Sequence, residues 1–168
     1  MLTKFNELAS DAQVAFLLAP SDKIVNIISA STGYEKAVEA LKECWNWVET
    51  KNVSGDKLYE FLDTIDETGL FVLMQLEEDE RKLMVWNCVV TAISFTTWKA
   101  YKFNGEKYLP APIEEVDEDL IEYFIDNFNA INAKNKDTLD KLLEYLLANH
   151  PKNSQESIDK EKVLSIIK

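Results

Sequence analysis

The chain has 168 residues, a formal net charge of −12, 46% hydrophobic and 29% charged residues, and only four glycines and four prolines. That length fits one domain able to bury a sizeable core without a metal or disulfide staple. The paucity of glycine and proline argues against a β-rich fold full of tight turns, and the acidity argues against binding nucleic acid or anionic membrane surfaces.

Residues 3–18 read as an amphipathic helix, with Phe5, Leu8, Ala12, Ala15 and Phe16 at helical spacing. Pro20 is expected to break it and to start a second, short helix with Ile24, Ile27 and Ile28 buried. Residues 34–50 form the next helix, with Tyr34, Val38, Leu41, Trp45 and Val48 as its apolar stripe. Trp45 and Trp47 are about 200° apart around that helix. Either the helix is sandwiched between two layers or one indole reaches a surface groove, and the sandwich is the favoured reading. Ser54-Gly55-Asp56 opens another helix, with Leu58, Phe61, Leu62 and Ile65 on one face. Residues 68–76 are a short apolar segment, read as helix for want of a partner strand.

Residues 79–104 are the central element. Lys82 and Lys99 bracket an uncharged run in which Trp86, Val90, Ile93, Thr97 and Tyr101 make one stripe, while Met84, Cys88, Phe95 and Trp98 add apolar groups elsewhere. A helix apolar on most sides belongs at the centre of a bundle. It is short for a bilayer span and diluted by polar residues, so no membrane insertion is expected. Asn104-Gly105 ends it. Residues 105–116 are expected to be loop, and Asp117 to cap a helix running to about Ala133 and buried through Leu120, Phe124 and Phe128. A leucine-rich helix follows from about Lys136 to Asn149 and is stopped by Pro151. After a polar linker, residues 158–167 read as a short terminal helix. The expectation is an all-α, single-domain bundle of about seven to nine helices around the apolar helix near 83–101. Residues 1–150 are assigned to the body and 151–168 to a C-terminal extension.

Chemistry-bearing constellations are sparse. Cys44 and Cys88 fall in apolar helical patterns and read as reduced, buried thiols. His150, the one histidine, precedes a proline at a helix end and reads as a solvent-facing or C-capping residue. No phosphate-binding glycine loop or nucleophile elbow is present, so no catalytic residue, cofactor or metal ligand is assigned. Two acidic runs stand out instead. Glu114, Glu115, Asp117, Glu118, Asp119 and Glu122 follow one another with no lysine or arginine before Lys134. Glu77, Glu78, Asp79 and Glu80 precede the central helix and are followed by Arg81 and Lys82. Carboxylates in a first helical turn are favourable by about 0.3–1 kcal/mol each through the helix dipole, which accounts for Asp117 to Asp119 but less well for Glu114 and Glu115. Apart from Asp117, reserved as a cap, the two runs are the candidate partner-binding residues, for a basic protein surface.

The order Trp45-Asn46-Trp47, then Leu58-Tyr59-Glu60-Phe61-Leu62-Asp63, then Trp86-Asn87-Cys88-Val89-Val90-Thr91-Ala92-Ile93 running into Trp98-Lys99-Ala100-Tyr101, then Leu109-Pro110-Ala111-Pro112-Ile113-Glu114 resembles the sixth immunity-protein family of bacterial polymorphic toxin systems, over roughly residues 1–150. The resemblance implies a helical, non-enzymatic protein encoded beside a secreted toxin, which it binds to prevent self-intoxication. A toxin nuclease domain is usually basic, so an acidic inhibitor would be steered to it quickly. The N-terminus lacks the basic segment, apolar run and cleavage site of a signal peptide, so a cytoplasmic location is expected. The alternatives are a helical enzyme with a carboxylate-based metal site, and an acidic adaptor or nucleic-acid mimic.

Overall fold

In a computed structural model, which describes residues 1–168, nine α-helices surround one long central helix and no strand pairs with another. In chain order they are α1 Leu2–Phe5, α2 Ser10–Ile24, α3 Tyr34–Thr50, α4 Gly55–Leu62, α5 Leu70–Leu73, α6 Glu80–Phe103, α7 Ala111–Glu114, α8 Glu118–Ile131, α9 Asn135–Asn149 and α10 Lys160–Ile166. The all-α bundle read from the sequence is the fold observed.

α6 is the axis, packing against α2, α3, α4 and α8. Its start is fixed by Asp79, whose side chain accepts from the Lys82 amide at 2.8 Å, and its end by Gly105 at φ 69°. Every residue from Cys88 to Thr97 is buried. The polar members of that run stay satisfied by bonding backwards: the Thr96 and Thr97 hydroxyls donate to the Ala92 and Ile93 carbonyls, each at 2.8 Å. Trp86 is 0% exposed.

The N-terminal helix departs from the sequence expectation at both ends. It begins at Ser10, because Leu8 forms an antiparallel bridge with Pro151; Ala9 N–H donates to His150 O at 3.0 Å and Lys152 N–H to Glu7 O at 2.7 Å. It does not break at Pro20 but runs on to Ile24. Proline inside a helix removes one backbone bond and costs about 3 kcal/mol or more. The unbroken burial of Val14 to Ser21 outweighs that, at roughly 1.5–3 kcal/mol for each large apolar side chain. The Ser21 hydroxyl, donating to Leu17 O at 2.8 Å, steadies the turn around the proline. The segment with Ile24, Ile27 and Ile28 is therefore the tail of α2 and a 3-10 turn, Val25–Ile28.

Other differences are local. Val38 is 39% exposed rather than part of the α3 stripe, and Ile65 stands fully exposed beyond the end of α4, which Asp63 terminates in extended conformation. Leu120 is half-buried. The segment 105–116 is not all loop, since Pro110 caps the single turn α7. His150 does occupy the C-cap of α9, yet it is buried, because the Leu8–Pro151 bridge closes over it. Trp45 and Trp47 are both buried, so α3 is the sandwiched helix: Trp45 Nε1 donates to Asp22 Oδ2 at 2.6 Å on one side, while Trp47 meets Phe103 edge-on at 6.2 Å on the other. The segment after Pro151 returns to the body. α10 packs on α2 and α9, and Ile158, Val163 and Ile167 enter the same core.

Candidate protein-binding surface

The α7–α8 corner displays the longer acidic run. Asp117 spends its Oδ1 on the Asp119 and Leu120 amides, at 3.0 and 3.3 Å, so it holds the helix start. Glu114, Glu115, Glu118, Asp119 and Glu122 are all exposed. Of these, only Glu118 has a side-chain partner, accepting from Asn6 Nδ2 at 2.8 Å. The chain contains three ion pairs, Lys51–Asp11, Lys57–Glu43 and Lys162–Asp159, and none involves either acidic run.

The shorter run is more committed. Glu77 accepts the Ser31 hydroxyl at 2.6 Å and the Asp79 amide at 3.3 Å. Those bonds hold its carboxyl below the usual carboxylate range, with the Ser31 bond the largest cause; the Trp86 indole N–H acts in the same direction, although it falls short of ordinary hydrogen-bond geometry. Asp79 caps α6, leaving Glu78 and Glu80 exposed and uncommitted. The fold does not bring the two runs together. α8 lies antiparallel to α6, with Asn87 Nδ2 donating to Asn127 Oδ1 at 3.0 Å. The 77–80 run lies at the start of α6 while the 114–122 run lies beside Phe95, a separation on the order of 20 Å along the helix axis.

Sequence reading missed a groove next to the longer run. A cleft of about 680 Å³ has Phe95, Trp98, Val116 and Ile121 among its apolar lining and Asp117 and Glu118 at its α8 side. A second, of about 890 Å³, reaches Trp47, Lys51, Lys102 and Phe103 and is walled by residues 154–158. The two share Ser10, Trp98 and Lys99 and so form one trough. Lys99 belongs to its floor: Nζ donates to Gln13 Oε1 at 2.7 Å and sits over the Phe95 and Trp98 rings at 5.3 and 5.1 Å. Burial pushes its pKa below the ordinary lysine value. The available signal was an aromatic–lysine alternation, Phe95, Trp98, Lys99, Lys102 and Phe103, at the end of a helix otherwise dedicated to the core.

The remaining reactive groups are sequestered. Burial pushes the Cys44 thiol up to about 12 and the Cys88 thiol higher still, which suppresses the nucleophilic thiolate. His150 Nδ1 is buried without a hydrogen-bond partner. No three His, Cys, Asp or Glu side chains are grouped to hold a metal ion, and no helix is long and apolar enough to cross a membrane.

A family model described as "Immunity protein Imm6" matches residues 12–131. That span runs from α2 through α8 and takes in the central helix, the acidic corner and most of the trough floor. No curated protein and no solved structure matches the chain.

Proposed function

This chain belongs to the Imm6 family of immunity proteins, and on that basis we propose that it binds and neutralises a cognate toxin domain of a polymorphic toxin system by occlusion, without turnover. The family match is the observation that carries the reading. The toxin is basic, and the carboxylates Glu114, Glu115, Glu118, Asp119 and Glu122 face it, with Glu77 to Glu80 as the secondary acidic run. Support comes from the five carboxylates of the longer run, which are exposed and form no ion pair within the chain. Opposite charges speed diffusional encounter, which suits an inhibitor that must act before damage accumulates. The cytoplasm is where such a protein meets a toxin aimed at its own cell.

The test is co-expression with the toxin domain encoded by the adjacent gene. Growth should be rescued, and the two chains should co-elute as a stoichiometric complex in which the toxin is chemically unmodified. Rescue accompanied by covalent change of the toxin, with no complex captured at any salt concentration, would defeat the occlusion reading.

A further inference from the structure

We infer that Ile65 is an anchor for the toxin: the 63–69 loop inserts this side chain into an apolar pocket whose rim carries lysine or arginine. The inference rests on the toxin-binding reading above. Ile65 is the most exposed of the large apolar side chains, and the free protein buries none of it. Entry into a partner's pocket therefore takes the whole side chain out of water. Binding energy concentrates in a few such desolvated side chains, whereas exposed carboxylates mainly set the rate of encounter.

The loop presents Ile65 on a held backbone. Asp63 leaves α4 in extended conformation and accepts the Tyr59 hydroxyl at 3.0 Å. Gly69 closes the base, lying so near Leu62 that a Cβ there would collide with the Leu62 carbonyl oxygen. Between them Asp66 Oδ1 accepts the Thr68 hydroxyl at 2.7 Å, and Thr64 Oγ1 accepts the Thr68 amide at 2.9 Å. Lys36, in the first turn of α3, donates to the Thr68 carbonyl at 2.6 Å. A side chain on such a frame gives up little freedom on docking.

Charge sets the rim of the partner's pocket. A shallow cleft of about 510 Å³ at Ile65 is lined also by Glu60, Asp63, Thr64 and Asp66, and by no lysine or arginine. The Thr68 hydroxyl, and after it the Thr64 hydroxyl, holds Asp66 below the ordinary carboxylate range, so it stays ionised. Exposed Glu67 adds a carboxylate beside it. Lys36 is spent on Thr68, and Lys57 of α4 is paired with Glu43 at 3.5 Å. The shorter acidic run is tied to the same end of α3, where Ser31 donates to Glu77 at 2.6 Å. A second copy of this chain would set these carboxylates against their own kind, so the charge favours a basic partner over self-association.

Ile65→Ala removes the anchor without touching the core, so far-UV circular dichroism and the melting temperature should match the parent. Dissociation from the immobilised toxin domain encoded by the adjacent gene should accelerate about tenfold, and Ile65→Val should restore most of the residence time. Glu60→Gln combined with Glu67→Gln should slow association severalfold at low salt and leave dissociation nearly unchanged. If the parent protein binds and Ile65→Ala dissociates at the parent rate, Ile65 is no anchor and the toxin-binding reading stands. If the double glutamine variant associates at the parent rate, the basic rim is refuted. A parent dimer in sedimentation equilibrium that Ile65→Ala dissolves would overturn the toxin assignment in favour of a second copy. If the parent protein does not bind this toxin domain at all, both readings fall.

Discussion

Replacing Trp86 by alanine tests the claim that α6 is the structural axis. The side chain is fully buried in the first half of α6. Removing a buried tryptophan costs about 3–5 kcal/mol through lost transfer energy and the cavity left behind. Here the lower part of that range is expected, because the indole Nε1 makes no proper hydrogen bond, so its removal forfeits none. At about 2–4 °C per kcal/mol for a chain of this size, the melting temperature should drop by roughly 6–16 °C. Urea titration followed by circular dichroism should show a lower midpoint with an unchanged slope, since the unfolded surface is the same. Trp86→Phe should cost distinctly less, because it retains most of the ring and deletes the orphan donor. A loss below about 1 kcal/mol for the alanine variant would mean that the α6 environment collapses around the gap, and the axial role would be refuted.

Three further outcomes follow from named contacts. Reversing Glu114, Asp119 and Glu122 to lysine should leave the fold intact and slow association with a basic toxin most at low salt; a loss of about 2–5 kcal/mol would instead mark a desolvated contact, and unchanged kinetics would remove this corner from the interface. Burial, the largest influence on Asp22, holds its pKa above 3.8 against the opposing Trp45 hydrogen bond and Lys160 charge. The folded state therefore keeps that proton longer than the unfolded chain does, and stability from this group falls as pH rises from about 3.8 through the folded value. Asp22→Asn, which retains an acceptor for Trp45, should gain stability relative to the parent as pH climbs through that window, measured by urea midpoints between acidic and neutral pH; a gap that narrows instead refutes the assignment. Deleting residues 157–168 should uncover the surface that Ile158, Val163 and Ile167 bury, at roughly 1.5–3 kcal/mol each, and leave a chain with little stability at 37 °C; an unshifted thermal transition would show the segment to be dispensable.

The elements that were legible in the sequence are those whose signals are local. Asp117 caps α8 as its position suggested, α4 opens at the Ser54-Gly55-Asp56 triplet, and the uncharged run from residue 83 to 98 marked the most enclosed helix, whereas Asp79, read as a candidate partner-binding residue, serves as the cap of α6. Periodicity failed where burial is decided by a distant partner. Pro20 reads as a breaker in isolation, but α6 and α3 bury the turns on either side of it. Ile65 follows the spacing of Leu58 and Leu62, yet Asp63 ends the helix before that spacing can place it. Val38 continues the α3 stripe on paper, but no element covers that side. His150 looked polar and terminal, and only the pairing of Leu8 with Pro151 encloses it. The acidic runs were visible as composition, whereas the trough beside the longer one needs α1, α2, α6 and α8 to converge, and no window of sequence contains that meeting.

The clasp between Glu7–Ala9 and His150–Lys152, with α10 laid on α2 and the Lys23 ammonium capping the Ile167 carbonyl, makes the first core helix wait for a segment 144 positions further along the chain. During synthesis α2 emerges with its apolar faces uncovered, and its final neighbour follows only after roughly ten to thirty seconds at ordinary translation speeds. Until that later segment has left the ribosome, the apolar faces of α2 stay open to wrong partners.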